Sequence, residues 1–248
     1  LNENFDGYNF EHDTGEVVRI CRNCRDRLNV WNPTPMDVAI ANYGVIGSKR
    51  KFGVEIETAT CAGYRTLRNN TLFGAKYDCS ISGMEFISPI LYGDEGLAEI
   101  ERFCDNAREQ GWSVDSDCGL HIHLDMRDEN ADSLKSIAYA YLLTDKAWRK
   151  LADPFRADNC TYCRPSTRTR GNVERAHDWR DYCDSQNRYE LCNLTAYNRH
   201  GTYEIRLYQG SIDKAEICNW IKIHTRFCDW AATKTLDELD AYFEGAIT

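Results

Sequence analysis

Two imidazoles and a carboxylate alternate with apolar residues in Gly119-Leu120-His121-Ile122-His123-Leu124-Asp125-Met126. A period of two is the pattern of a strand with one buried face, so His121, His123 and Asp125 share the other. Both rings then leave the sheet on the same side, where they can meet a metal or a phosphate. Two more stretches repeat the arrangement. In Phe52 to Thr58, Gly53, Glu55 and Glu57 oppose Phe52, Val54 and Ile56, and in Tyr203 to Leu207, Glu204 and Arg206 oppose Tyr203, Ile205 and Leu207. A further carboxylate, Glu85, sits among Met84, Phe86 and Ile87, where an acid needs a partner. If these strands share a sheet, their polar faces coincide. Repulsion among the carboxylates would then raise their pKa values unless cations neutralise them. Mg²⁺ or Mn²⁺ suits such oxygen-rich ligands, and Arg206 beside Glu204 suits an anion such as phosphate.

The elements that must hold these residues follow from the same periodicity. Strands are expected over residues 51–58 and 83–91, with a short extended piece at 76–80. A helix over 96–110 has Leu97, Ile100, Phe103, Cys104 and Ala107 on one face and Gly111 as its stop. The histidine strand follows, then a long helix over 131–152 ended by Pro154. Residues 155–187 are polar and rich in arginine, including Arg156, Arg164, Arg168, Arg170, Arg175 and Arg180. They read as a long insert without regular structure, the place where substrate specificity would be set. Two strands, 188–197 and 202–208, joined by a hairpin turn at Asn198-Arg199-His200-Gly201, come next. Asp213 with Glu216 opens a helix, and a short helix over 236–243 closes the chain.

The 248 residues carry a net charge of −9, which disfavours a surface that tracks nucleic-acid phosphates. No apolar run is long enough for a membrane helix, and Leu1 to Asp6 lacks the pattern of a signal peptide. Twelve cysteines scattered through the expected helices and strands suit small buried residues in a reducing cytoplasm. Residues 1–50 stand apart as a turn-rich N-terminal segment, and 51–248 read as the catalytic unit. Within the segment, Cys21-Arg22-Asn23-Cys24 offers half of a zinc site, and Cys160-Thr161-Tyr162-Cys163 could supply the other half. The Asp13-Thr14-Gly15-Glu16 turn before Cys21 resembles the second half of a zinc ribbon or treble-clef finger.

One ordered set of motifs runs through residues 51 to 231. It comprises Gly-x-Glu-x-Glu (Gly53, Glu55, Glu57), Asp-x-Ser-x-x-Gly-x-Glu-x-x-Ser-Pro (Asp78 to Pro89), Cys-Gly-x-His-x-His (Cys118 to His123), Arg188 with Asn193, and Tyr-Glu-x-Arg (Tyr203 to Arg206). The set resembles the amidoligase family, in the carboxylate-amine ligase superfamily with glutamine synthetase and glutamate-cysteine ligase. The resemblance implies an α+β fold, a curved antiparallel sheet of glutamine synthetase catalytic-domain type with helices packed on its outer face. It implies an ATP- and Mg²⁺-dependent ligase that joins a small-molecule or peptide carboxylate to an amine through an acyl phosphate. Carried over by motif, Glu57 and Glu85 would bind one metal, and Glu55, His121 and Glu204 another, with Asp78 as the candidate for a further acidic ligand. His123 and Arg206 would contact ATP phosphates or the acyl phosphate. Arg188 would contact the substrate carboxylate or phosphate, and Asn193 the substrate.

Two other classes remain open on the residues alone. A metal-dependent hydrolase could use the paired histidines and Glu57 around a zinc-bound water, although such sites usually call for more histidines. A non-catalytic binding module carrying a zinc finger is the second.

Overall fold

The computed structural model describes residues 7–11, 17–21, 47–67 and 71–244, with side chains described from Gly47 onward, those of Thr66, Leu67 and Asn159 excepted. Strands β1 (Gly7–Glu11) and β2 (Val17–Cys21) form an antiparallel two-stranded sheet. The rest of the chain builds a six-stranded sheet from β3 (Phe52–Glu57), β4 (Gly74–Lys76), β5 (Glu85–Ile87), β6 (Gly119–Asp125), β7 (Cys192–Asn193) and β8 (Thr202–Gln209). Its order is β4-β5-β3-β6-β8-β7, and every neighbouring pair is antiparallel. The fold is α+β as expected. The sheet, however, is not strongly curled.

Strand β6 lies at the centre because both its neighbours need its apolar face. Leu120, Ile122 and Leu124 are fully buried beside Phe52, Val54 and Ile56 of β3 and Tyr203, Ile205 and Leu207 of β8. Each such side chain contributes about 1.5–3 kcal/mol by leaving water. Three long helices join this core: α2 (Gly93–Glu109) through Leu97, Ile100 and Phe103, α3 (Ala131–Arg149) through Leu134 and Ile137, and α7 (Lys214–Ala232) through Ile217 and Ile221. Side-chain caps open two of these helices, the second at the Asp213 that the sequence marks. Asn130 accepts the Ser133 amide ahead of α3, and Asp213 accepts the amides of Ala215 and Glu216 ahead of α7.

Short helices complete the unit: α1 (Tyr64–Leu67), α4 (Arg170–Glu174), α5 (Trp179–Asp184), α6 (Ala196–His200) and α8 (Leu236–Glu244), with a π-turn at Phe155–Asn159. They correct two expectations. The arginine-rich stretch is not structureless: Val173, Trp179, Tyr182 and Cys183 enter the core, and Trp179 Nε1 donates to Tyr203 Oη at 2.9 Å. Its arginines are largely occupied elsewhere, Arg170 with Glu174, Asp237 and Asp240, and Arg168 over the Tyr182 ring. The expected hairpin turn before β8 is helix α6, and Gly201 at φ 66° is its left-handed C-cap, so the strand before it shrinks to two residues.

Beyond the polar cluster, Arg50 is clasped by three oxygen partners and reaches Met126 Sδ at 3.4 Å. Its guanidinium donates to Asp125 O at 2.5 Å, Glu129 at 2.6 Å and Asp229 at 2.9 Å. Asp125, expected to stand with the two histidines, instead accepts from Arg127 at 2.8 Å.

Between α3 and α7, His224 is fully buried, its Nδ1 2.8 Å from Tyr141 Oη. Burial holds its imidazole neutral, pushing its pKa down to about 3. The unfolded chain, with an ordinary histidine near pKa ~6.5, takes up a proton between those values that the folded chain refuses. Stability therefore rises with pH across that window and falls on acidification, by about 2 kcal/mol from this group at pH 5. Denaturant unfolding between pH 5 and 7 should show a shallower pH slope in His224→Gln than in the native chain, and equal slopes would count against a neutral buried imidazole.

Candidate active site

The opposite face of the sheet carries the cluster of ionisable residues. Glu55 and Glu57 project from β3, Glu85 from β5, His121 and His123 from β6, and Glu204 and Arg206 from β8, all lining one cavity of about 470 Å³. Antiparallel register explains the grouping. Glu57 stands opposite Glu85, Glu55 opposite His121, and His123 opposite Glu204. The register of β6 on β8 slips between Leu120 and Ile122, so His121 stands at an irregularity, as residues beside functional sites often do.

Contacts tie the groups tightly. His121 Nδ1 lies 3.0 Å from Glu55 Oε2 and 3.5 Å from Glu204 Oε1, and His123 Nε2 lies 3.3 Å from Glu55 Oε1. Thr202 Oγ1 is 3.0 Å from His123 Nδ1 and orients that ring. Glu57 accepts the Gly119 amide at 2.6 Å. Glu204 is held from two sides, accepting Asn193 Nδ2 at 2.6 Å and the Arg206 guanidinium. Arg206 Nε donates to Tyr162 O at 3.2 Å. Asp78, in the turn between β4 and β5, accepts from the Ser80 amide and hydroxyl at 2.8 and 2.7 Å.

Electrostatics follow the geometry. Burial would raise Glu55, yet its hydrogen bonds to His121 and His123 hold it well below the carboxylate range. Burial likewise opposes ionisation of Glu204, and the Arg206 charge overcomes it, lowering its pKa. Glu85 has no such support: burial and then the Glu55 charge push it up to about 8, with Lys76 at 3.1 Å offsetting only part. His123 goes up to about 9, because its bond to Glu55 and that charge outweigh burial.

Three groups of ligand atoms lie within 4.8 Å of one another: Glu57 with Asp78 and Glu85, Glu55 with Glu85 and His121, and Glu55 with His123 and Glu204. Carboxylate-dominated triads that share members fit hard divalent cations. A second cation near Glu55 and Glu85 would relieve the repulsion that raises Glu85.

The expected residues thus converge, with differences of detail. His123 joins a carboxylate group with Glu55 and Glu204, in addition to facing the cavity. Arg188 lies on the cavity wall with its guanidinium over the Tyr189 ring, 5.3 Å from its centroid. Asn193 reaches the cavity through Glu204. The zinc expectation falls partly outside the described residues, which do not include Cys24 or the side chain of Cys21. Cys163 is fully buried, with Sγ donating to Arg156 O at 3.0 Å.

Sequence reasoning missed Arg156. It leaves the π-turn to lie along β8, donating to Arg206 O at 2.7 Å, to Leu207 O at 3.4 Å and to Cys160 Sγ at 3.4 Å. Only a glycine permits this, since a Cβ at Gly119 would stand 2.7 Å from Arg156 Nη2 and 3.0 Å from His121 Nε2. Among the described residues no carboxylate pairs with Arg156. Its one sequence signal was membership of the arginine-rich stretch, whose other arginines do not line the cavity.

The turn that carries Asp78 is equally constrained. A Cβ on Gly83 would meet Thr58 O at 2.2 Å, a clash with backbone rather than with a flexible tip. Gly83→Ala should destabilise the chain by about 2–3 kcal/mol and loosen Asp78 and Glu85 together. Thermal unfolding reads the first effect, and an unchanged melting temperature would contradict the packing.

Comparison with known families decides the affiliation. A family model described as "Putative amidoligase enzyme" matches residues 64–230. The chain belongs to the amidoligase family. Amide-bond ligation is the activity that membership implies. The match takes in β5, β6 and β8 but starts after β3, so Glu55 and Glu57 join the amidoligase residues by sheet pairing. No curated protein matches the chain. Among the described residues no helix is long and apolar enough to cross a membrane.

Proposed function

We propose that the chain is an ATP- and Mg²⁺-dependent carboxylate-amine ligase that activates an acid as its acyl phosphate and transfers the acyl group to an amine. The observation that carries this reading is the convergence of six carboxylates, three imidazoles and Arg206 on one cavity in an amidoligase chain. Glu57, Asp78 and Glu85 would hold one cation, and Glu55 with Glu204 and His121 another. Such ions supply charge neutralisation for the polyphosphate and the transferring phosphoryl group.

The chain's own groups do the rest. Arg206, fixed by Glu204 and Tyr162 O, directs its remaining N–H groups at anionic oxygens. Arg188, more exposed on the wall, draws in the substrate carboxylate. Thr202 and Glu55 fix the His123 ring, so that its protonated form faces developing negative charge.

One observation favours a hydrolase: the His200 ring stands edge-on to His123 at 5.8 Å, bringing a third imidazole to the cavity. His200 belongs to none of the ligand groups, however, and the acids outnumber the imidazoles. Isothermal titration with a non-hydrolysable ATP analogue separates the two. Mg²⁺-dependent binding that disappears in Glu55→Ala and Arg206→Ala is the expected outcome. No binding with or without Mg²⁺ would overturn the ligase reading and turn attention to hydrolysis.

A further inference from the structure

The Cys160-Thr161-Tyr162-Cys163 motif is left without a role by the ligase reading, yet it forms part of the wall behind Arg206. Thr161 and Tyr162 make a turn between the two cysteines. A turn of four residues brings its end Cα atoms within about 7 Å, close to the upper limit of the separation that a disulfide spans. The two thiols are not equivalent. Cys160 is partly exposed and accepts from Arg156 Nη1 at 3.4 Å, whereas Cys163 is fully buried and donates a hydrogen bond to Arg156 O at 3.0 Å. Arg156 therefore contacts one sulfur with its guanidinium and the other with its backbone carbonyl, and its Nη2 holds Arg206 O at 2.7 Å. The turn itself carries Tyr162, whose carbonyl accepts from Arg206 Nε.

We propose that Cys160 and Cys163 are a redox modification site, a dithiol that a peroxide converts reversibly to a disulfide and that is coupled through Arg156 and Tyr162 to Arg206. In the first step the Cys160 thiolate attacks one peroxide oxygen; an S–O bond forms, the O–O bond breaks, and hydroxide leaves as water after taking a proton. In the second, Cys163 Sγ attacks the Cys160 sulfenyl sulfur; the S–S bond forms, the S–O bond breaks, and the Cys163 proton departs with the leaving hydroxide as a second water. Two thiols and one peroxide thus give one disulfide and two waters. The division of labour fits the surroundings. The neighbouring Cys163 thiol, and then Arg156, hold Cys160 down to about 5, while its bond to Cys160 and burial push Cys163 up. A thiolate next to a guanidinium, with a resolving thiol at hand, is the arrangement that peroxide-sensitive sites share. Oxidation removes both sulfur hydrogen bonds to Arg156, and the turn that positions Arg206 must adjust.

The whole native chain is treated with hydrogen peroxide in slight excess, quenched, alkylated and digested with trypsin, which cuts after Arg156 and Arg168 but not at the Arg164–Pro165 bond and so releases 157–168 with both cysteines on one peptide. The expected result is that most of this peptide is two hydrogens lighter and unalkylated, and that dithiothreitol restores it. Before oxidation, Cys160 should be alkylated at least ten-fold faster than Cys163. In Cys160→Ser, Cys163 should stay a thiol under the same treatment. Sulfinic acid on Cys160 with Cys163 unchanged would overturn the proposal. So would thiols that resist alkylation until a zinc chelator is added, because that is the signature of a metal site. Hydrogen exchange tests the coupling, with protection over 204–209 expected to change on oxidation and to recover on reduction. A disulfide that forms while exchange there stays constant would also overturn the proposal.

Discussion

Glu57→Gln should cost about 10³-fold in ATP turnover, equivalent to about 4 kcal/mol, while the melting temperature stays within a few degrees of the native value. The amide keeps the shape of the side chain and an oxygen that can still accept the Gly119 amide at the Glu57 position. What disappears is a negative charge that faces Asp78 and Glu85. Glu57 therefore separates the two roles of the residue, as a strut under β6 and as a charged ligand. ADP release measured alongside circular dichroism melting decides between them. A folded, fully active variant would remove the chemistry from this face of the sheet.

The second large effect is structural and lies at the other end of the same strands. Arg50→Met should lower stability by about 3 kcal/mol, the low end for breaking a buried ion pair. The low end applies because Asp229, at 35% side-chain exposure, can recover water when its partner goes. Asp125 O, which the guanidinium reaches at 2.5 Å, is less well placed to do so. For a domain of this size the melting temperature should fall by roughly 6–12 °C. A shift below 2 °C would show that the three-way clasp contributes little.

The alternation of apolar and polar residues made β3, β6 and β8 legible, since a half-buried strand writes its period directly into the chain. It also announced which residues share a face. The order of the strands was not readable, because pairing of β3 with β6 and of β6 with β8 depends on contacts between segments far apart in the chain. Boundaries failed where local chemistry had two solutions. Gly201 serves a hairpin or a helix C-cap equally well, and the packing of α6 beside β8 chose the helix. The arginine-rich stretch looked irregular because its helices are short and its buried residues sparse, with Trp179, Tyr182 and Cys183 too few to mark a period. Arg156 was hidden for a related reason. Its role comes from a π-turn and from the absent side chain of Gly119, neither of which a spacing rule registers.

The acids of the cavity come from β3, β5, the turn before it, and β8, so no short fragment of the chain can present them together. Until the sheet closes, a cation finds only isolated carboxylates in water and gains little from any of them. An ion that recognises the closed face alone thus favours the closed chain, by about 2.7 kcal/mol when present at a hundred times its dissociation constant. Ionic composition would then govern how much of the newly made chain survives to be folded, before any substrate is met.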